Sequence, residues 1–189
     1  MNVLFIGIGE VGSNLIEIIG DRHEVYWIDL ESSNVPECKV DVVEVCMPRI
    51  ENFSQVVIDH LKGIDFEHVI VESSVLPKDV EGLKIYDSVV HSPIRGTHSD
   101  MVPMIKDMTK YVGPMTGDGK FAVEYYNSIG IDDVSILDSY KETCLGKLLQ
   151  TTWYATQIAF CNYAKKVADK IGCDHKQSYN EFMSTDLIG

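Results

Sequence analysis

The chain has 189 residues, 45% of them hydrophobic and 24% charged, which suits one packed domain with at most a small second unit and excludes disordered and fibrous classes. Its 16 Lys and Arg stand against 29 Asp and Glu, and the formal charge of −13 argues against nucleic acid or a membrane surface as a partner. Any anionic ligand must be held by local donors. The five cysteines, Cys38, Cys46, Cys144, Cys161 and Cys173, are odd in number and form no C-x-x-C. Neither a disulfide framework nor a zinc site is expected, and a cytoplasmic setting fits.

The N-terminus has no basic stretch before its apolar run and reaches Glu10 early, so it makes a poor leader peptide. Val3 to Ile6 reads instead as a buried strand. Glycines follow, then Val11, Leu15, Ile18 and Ile19 at helical spacing, stopped by Gly20. Val25 to Ile28 gives a second strand with Asp29 at its end, Val40 to Met47 a third, Asn52 to Leu61 a helix closed by Gly63, and Val69 to Val71 a further strand. More strands are expected at Ser88 to His91, Tyr111 to Val112 and Val134 to Leu137, with a helix between Asp118 and Ile129. This alternation predicts a parallel sheet flanked by helices. The stretch between Asp29 and Val40 is too short for an ordinary crossover helix, so one strand and helix are expected to be lost or reduced to a loop.

Ser139 followed by Glu142 is a capping-box pattern, and the helix it opens runs to Gly172. At roughly 30 residues it would be about 45 Å long. Leu148 to Ala164 carries no charge but contains Gln150, Gln157 and Asn162, and it falls short of the roughly 20 apolar residues that span a bilayer. It reads as a helix buried on more than one side, with a second copy of the chain as the cover.

Gly7-Ile8-Gly9-Glu10-Val11-Gly12 is a G-x-G-x-x-G placed between a strand and a helix. In that setting Gly7 permits the turn, Gly9 lets a pyrophosphate approach the backbone, and Gly12 packs helix on strand. The N–H groups at Glu10 and Val11 open the helix and offer donors to phosphate. Asp29 ends the next strand, where a carboxylate accepts a ribose diol and repels a 2′-phosphate, which favours NAD over NADP. A glycine turn without ligand is the plain alternative. The fold class expected is therefore α/β, a Rossmann-type doubly wound, mostly parallel sheet with a long C-terminal helix. Residues 1–138 would form the NAD-binding domain and residues 139–189 the long helix and a short tail.

Open α/β sheets bind ligands at the carboxyl ends of their strands. Cys46, Met47 and Pro48 lie at such an end and are assigned to the cofactor, with Arg49 just after them. Arg95 follows another strand and proline, and with Gly96 it is a candidate for an anionic substrate; a surface ion pair is the alternative for either arginine. His91 and His98 flank the same loop without metal-ligand spacing and read as structural or substrate-facing. Lys147 shares a helix face with Thr151 and Tyr154 beside the uncharged stretch. There partial desolvation would lower its pKa and make proton transfer feasible, unless it is a solvated lysine.

These residues, with Glu72-Ser73-Ser74-Val75, Ser92-Pro93-Ile94-Arg95-Gly96, Gly146-Lys147 and the segment from Ala164 to Asp174, resemble the 6-phosphogluconate, β-hydroxyacid and UDP-glucose dehydrogenases over nearly the whole chain. Ala155 to Asn162 looks most like the nucleotide-sugar branch. The resemblance implies an NAD(P)-binding glycine turn, Ser73 beside the nicotinamide, Ser74 in the catalytic site, Lys147 in substrate binding and proton transfer, and a dimer built on the helix of residues 139–171. The chain also departs from the pattern. Thr151 stands where the family has an asparagine facing substrate, Ile94 where nucleotide-sugar enzymes have a catalytic glutamate, and Arg95 where β-hydroxyacid enzymes have a serine. Both branches continue into a second domain that this sequence is expected to lack. None of the five cysteines falls at the nucleophile's place, so oxidation to an acid by that route is not expected. Two functions follow: an NAD-dependent oxidoreductase moving one hydride to or from an alcohol or carbonyl of a small anionic substrate, or a non-catalytic NAD-binding module or partner subunit.

Overall fold

Strand β1 (Asn2–Ile6) sends Val3 and Phe5 into one apolar layer and Leu4 and Ile6 into another. A strand buried on both faces has no polar alternation, which is why it reads as a continuous apolar run. The same rule holds for β4 (Val40–Val45) and β5 (Phe66–Val71). The structure, a computed structural model, describes residues 1–96 and 101–184. Among these, the chain forms helix α1 (Glu10–Ile19), β2 (Glu24–Ile28), a two-residue β3 (Ser33–Asn34), β4, α2 (Phe53–Leu61), β5, α3 (Pro77–Val80), β6 (Val89–His91), α4 (Met101–Asp107), β7 (Lys110–Thr116), α5 (Lys120–Ser128), β8 (Val134–Ile136), α6 (Tyr140–Ile171) and α7 (Glu181–Ser184).

The strands make one sheet in the order β3-β2-β1-β4-β5-β6-β7-β8. All neighbours are parallel except β2 with β3 and β6 with β7. The fold is a Rossmann-type doubly wound, mostly parallel α/β sheet with a long C-terminal helix. The chain winds outward from β1 through β2 to β3, then jumps back across β1 to β4. That reversal opens a crevice above the carboxyl ends of β1 and β4. As the short connection required, no helix lies between β2 and β4. The small edge strand β3 occupies part of the gap.

Strand β7 is longer than the two residues expected of it. β7 continues through Gly113 and Pro114, because β8 pairs only with Lys110, Tyr111 and Val112 and leaves Pro114 without a ladder partner on that side. A side chain at Gly113 would meet Thr143 Oγ1 at 2.5 Å and Tyr140 Cα at 2.7 Å, so the glycine is what lets the first turn of α6 seat on the strand.

The chain divides into two compact units after Leu148, inside α6. In the second unit Gly172, at φ +73°, ends the helix, and Cys173 N–H donates to Ala168 O at 3.1 Å. Asp174 Oδ1 then accepts the N–H groups of Lys176 (2.7 Å) and Gln177 (3.1 Å), and Tyr179 packs on Phe160 with ring centroids 5.9 Å apart. Residues 149–160 are exposed throughout in the single chain. Their own unit supplies only this short tail as cover.

Candidate functional site

The crevice is built by backbone. Gly7 sits at φ +92°, a conformation glycine adopts freely, and a Cβ there would stand 3.1 Å from the Cys46 carbonyl. The turn after β1 is thus pressed against the end of β4, and Cys46 N–H donates to Ile6 O at 2.8 Å. At Gly12 a Cβ would run into Gly7 O, so this glycine is required by packing of α1 on the turn. Gly9 is different. Its φ is −64°, within reach of any residue, and a Cβ there would meet nothing within 4 Å. It also gives α1 no side-chain cap. A glycine excused by neither conformation nor crowding leaves open space in front of a helix N-terminus, which is the cradle a pyrophosphate needs.

Asp29 lies at the same corner. Its carboxylate accepts the N–H of Ile8 on Oδ2 and of Leu30 on Oδ1, each at 2.6 Å. On the other side of β1, Met47 and Ser73 come together: the buried Ser73 hydroxyl donates to Met47 O at 2.6 Å and lies 3.2 Å from Val45 O, tying the end of β5 to the end of β4. Ser74, next in line, and Pro48 are exposed. Arg49 takes the ion-pair role, gripping Asp79 through Nε at 2.5 Å and Nη2 at 3.2 Å.

His91 is structural. It is fully buried, its Nε2–H donates to Ser73 O at 3.0 Å, and its Nδ1 lies 2.7 Å from Thr143 Oγ1. Since Ser73 O can only accept, Nδ1 is the unprotonated nitrogen. Burial lowers the imidazole to about 4, so the ring is neutral at pH 7. His98 lies outside the described residues.

Thr143 and Lys147 share a face of α6, and the seating of Gly113 against the first turn aims both at the end of β6. Lys147 is half-buried and donates from Nζ to Ile94 O at 2.6 Å. Burial, then Lys110 and Arg95, lower its pKa, while Glu72 opposes them. Arg95 lies over the Tyr111 ring, 5.3 Å from the centroid, and donates to Thr109 O at 3.3 Å. Gly96, at φ +152°, follows it on the surface. Thr151 is exposed and belongs to the second unit.

Sequence reasoning missed a buried polar cluster under this edge. Lys110 Nζ donates to Glu72 at 2.5 Å and to Ser92 O at 2.7 Å, and Tyr126 donates to the other Glu72 oxygen at 2.6 Å. Glu44 is fully buried beside them with neither oxygen hydrogen-bonded. Desolvation, reinforced by Glu72, pushes its pKa well up. A signal existed: in Val40-Asp41-Val42-Val43-Glu44-Val45 the period of two puts Glu44 on the same face as the buried Val42. Among the described residues, no three or more His, Cys, Asp or Glu side chains gather as metal ligands would.

No family model matches the sequence, and no curated protein matches it. Solved structures do. A UDP-D-ManNAc dehydrogenase from Pyrococcus horikoshii superposes with a TM-score of 0.83 at 15% identity, over 100% of this chain and 59% of its own. At that identity the likeness is one of fold. A UDP-glucose dehydrogenase from Pyrobaculum islandicum gives a TM-score of 0.74 at 13% identity over 98% of this chain and 56% of its own. A reductive aminase from Aspergillus terreus, solved with NADPH and ethyl-5-oxohexanoate, gives 0.67 at 12% identity over 97% and 71%. The chain spans less than two thirds of the length of the nucleotide-sugar dehydrogenases it superposes on.

Proposed function

We propose that the chain is an NAD-dependent oxidoreductase that moves one hydride to or from the alcohol or carbonyl carbon of a small anionic substrate. The observation that carries this reading is the open space at Gly9, in front of the α1 N-terminus, where a pyrophosphate would sit. Neighbouring strands are about 4.8 Å apart, so the line from β2 through β1 and β4 to β5 spans about 14 Å, the scale of an extended dinucleotide. Laid along that line, the adenosine ribose meets Asp29, the pyrophosphate meets Gly9, Glu10 and Val11, and the nicotinamide ends near Met47, Ser73 and Ser74. The cofactor, when bound, supplies or accepts the hydride. Lys147 handles the proton: as a neutral amine it takes the hydroxyl proton of an alcohol, and as an ammonium it returns one to a carbonyl oxygen. Its lowered pKa puts more of the neutral form at hand. Arg95 and Gly96 hold the anionic end.

The working unit in this reading is a homodimer through the 139–171 helix, in a reducing cytoplasm that suits five unbridged thiols. Isothermal titration with both cofactors tests the first step: NAD binds, and NADP binds at least tenfold more weakly beside the Asp29 carboxylate. Equal or tighter NADP binding would overturn the assignment. A panel of hydroxy acids and nucleotide sugars followed by NADH absorbance tests the second, with Lys147→Ala abolishing turnover at unchanged NAD affinity. The alternative of an NAD-binding module without turnover draws support from the Lys147 bond to Ile94 O, which occupies the amine. Tight NAD binding with no turnover across the panel would favour it.

A further inference from the structure

The carboxylate of Asp29 is held in place before any ligand arrives. Residues 29–32 close a tight turn between β2 and β3, in which Asp29 N–H donates to Ser32 O at 2.9 Å and Trp27 Nε1–H to Ser32 Oγ at 3.1 Å. β3 then pairs back on β2, Ile28 opposite Ser33. From this fixed backbone the side chain reaches the glycine turn, where its Oδ2 accepts the N–H of Ile8, the residue between the first two glycines. Gly7 N–H is accepted by Ile28 O at 2.9 Å. Two consecutive N–H groups of the turn are thus taken by two consecutive residues at the end of β2. One acceptor is a peptide carbonyl present in any sequence. The other is an ionisable side chain that only this residue supplies, and a bond to a charged acceptor is about twice as strong as a neutral one.

We propose that Asp29 is a positioning residue for the phosphate-holding turn as well as a ribose contact: by pinning Ile8 it fixes the direction in which Gly9 and the first N–H groups of α1 point. The two roles are compatible, because a carboxylate offers about four lone-pair sites and the N–H groups of Ile8 and Leu30 occupy two. Replacing the acid to admit a 2′-phosphate therefore loosens the turn that holds the pyrophosphate, and affinity for both cofactors falls. This consequence rests on the nucleotide reading above; the contact with Ile8 does not.

Two measurements on the full chain separate them. In the ligand-free protein, the Ile8 amide should show a downfield proton shift and slow hydrogen exchange. Asp29→Ala should remove both, whereas Asp29→Asn, whose amide oxygen still accepts a hydrogen bond, should keep part of the protection. An Ile8 amide unchanged in a folded Asp29→Ala protein overturns the proposal, whatever the nucleotides do. Titration with ADP and with 2′,3′-dideoxy-ADP gives the second readout. A turn-positioning acid makes Asp29→Ala weaken both ligands, by about tenfold for a lost charge-assisted bond. Weakening of ADP alone means the acid acts only through the ribose hydroxyls and refutes the effect on phosphate. If wild type binds neither ligand, the nucleotide reading fails and the Ile8 amide still decides the contact.

Discussion

His91 joins three elements with one neutral ring: its own strand β6, Ser73 at the end of β5, and Thr143 on α6. Its folded pKa of about 4 lies below the unfolded value of 6.5, so the unfolded chain binds more protons between those limits. The stability this ring contributes is complete above pH 6.5 and is lost as pH falls toward 4. Chemical denaturation of wild type and His91→Gln should show a gap that shrinks by about 2 kcal/mol between pH 7 and pH 5. A gap independent of pH would mean that the ring is not held neutral. The sequence placed His91 beside the substrate loop but could not tell a buried ring from a facing one. That distinction depends on Thr143, which lies 52 residues away.

The strand, turn and helix formed by β1, the glycines and α1 were legible because each level agrees: an apolar run, Gly7 with positive φ and Gly12 crowded against the turn, then apolar residues at helical spacing. Gly9→Val tests that element. The new side chain has room, so the melting temperature should change by no more than a few degrees while NAD affinity falls at least tenfold. Unchanged affinity would place the cofactor elsewhere. Other elements were not legible, for physical reasons. β3 has two residues, Ser33 and Asn34, with no pattern of their own, and exists only because β2 offers an edge. α4 carries Pro103 near its start, which looks like a break but is tolerated in a first helical turn where the N–H has no partner to lose. The pairing of Lys110 with Glu72 was not legible, since it depends on segments far apart in sequence.

At the scale of the whole molecule, α6 is the open question. Trp153, Tyr154, Ile158, Phe160 and Tyr163 are each about half exposed or more, an apolar surface of the kind that marks an interface. A symmetric contact between two copies would cover it, with Trp153 and Tyr154 as aromatic anchors. Sedimentation equilibrium at micromolar concentration should return twice the 21.2 kDa chain mass, and Trp153→Asp or Phe160→Asp should return the chain mass itself. A wild-type monomer would rule the dimer out. The uncharged stretch was plain in the sequence.

The formal charge of −13 counts Glu44 as an anion, but burial in the folded chain raises its pKa well above the ordinary value and so favours the protonated acid. Folding therefore favours proton uptake at this site, and unfolding favours release. The sign opposes that of His91: a carboxyl whose folded pKa is raised contributes a penalty that grows with pH above its ordinary value, so stability tilts downward toward alkaline pH. Calorimetric unfolding in buffers of different ionisation enthalpy should register proton release that Glu44→Gln reduces. The native molecule would thus migrate in an electric field as a weaker anion than its composition states.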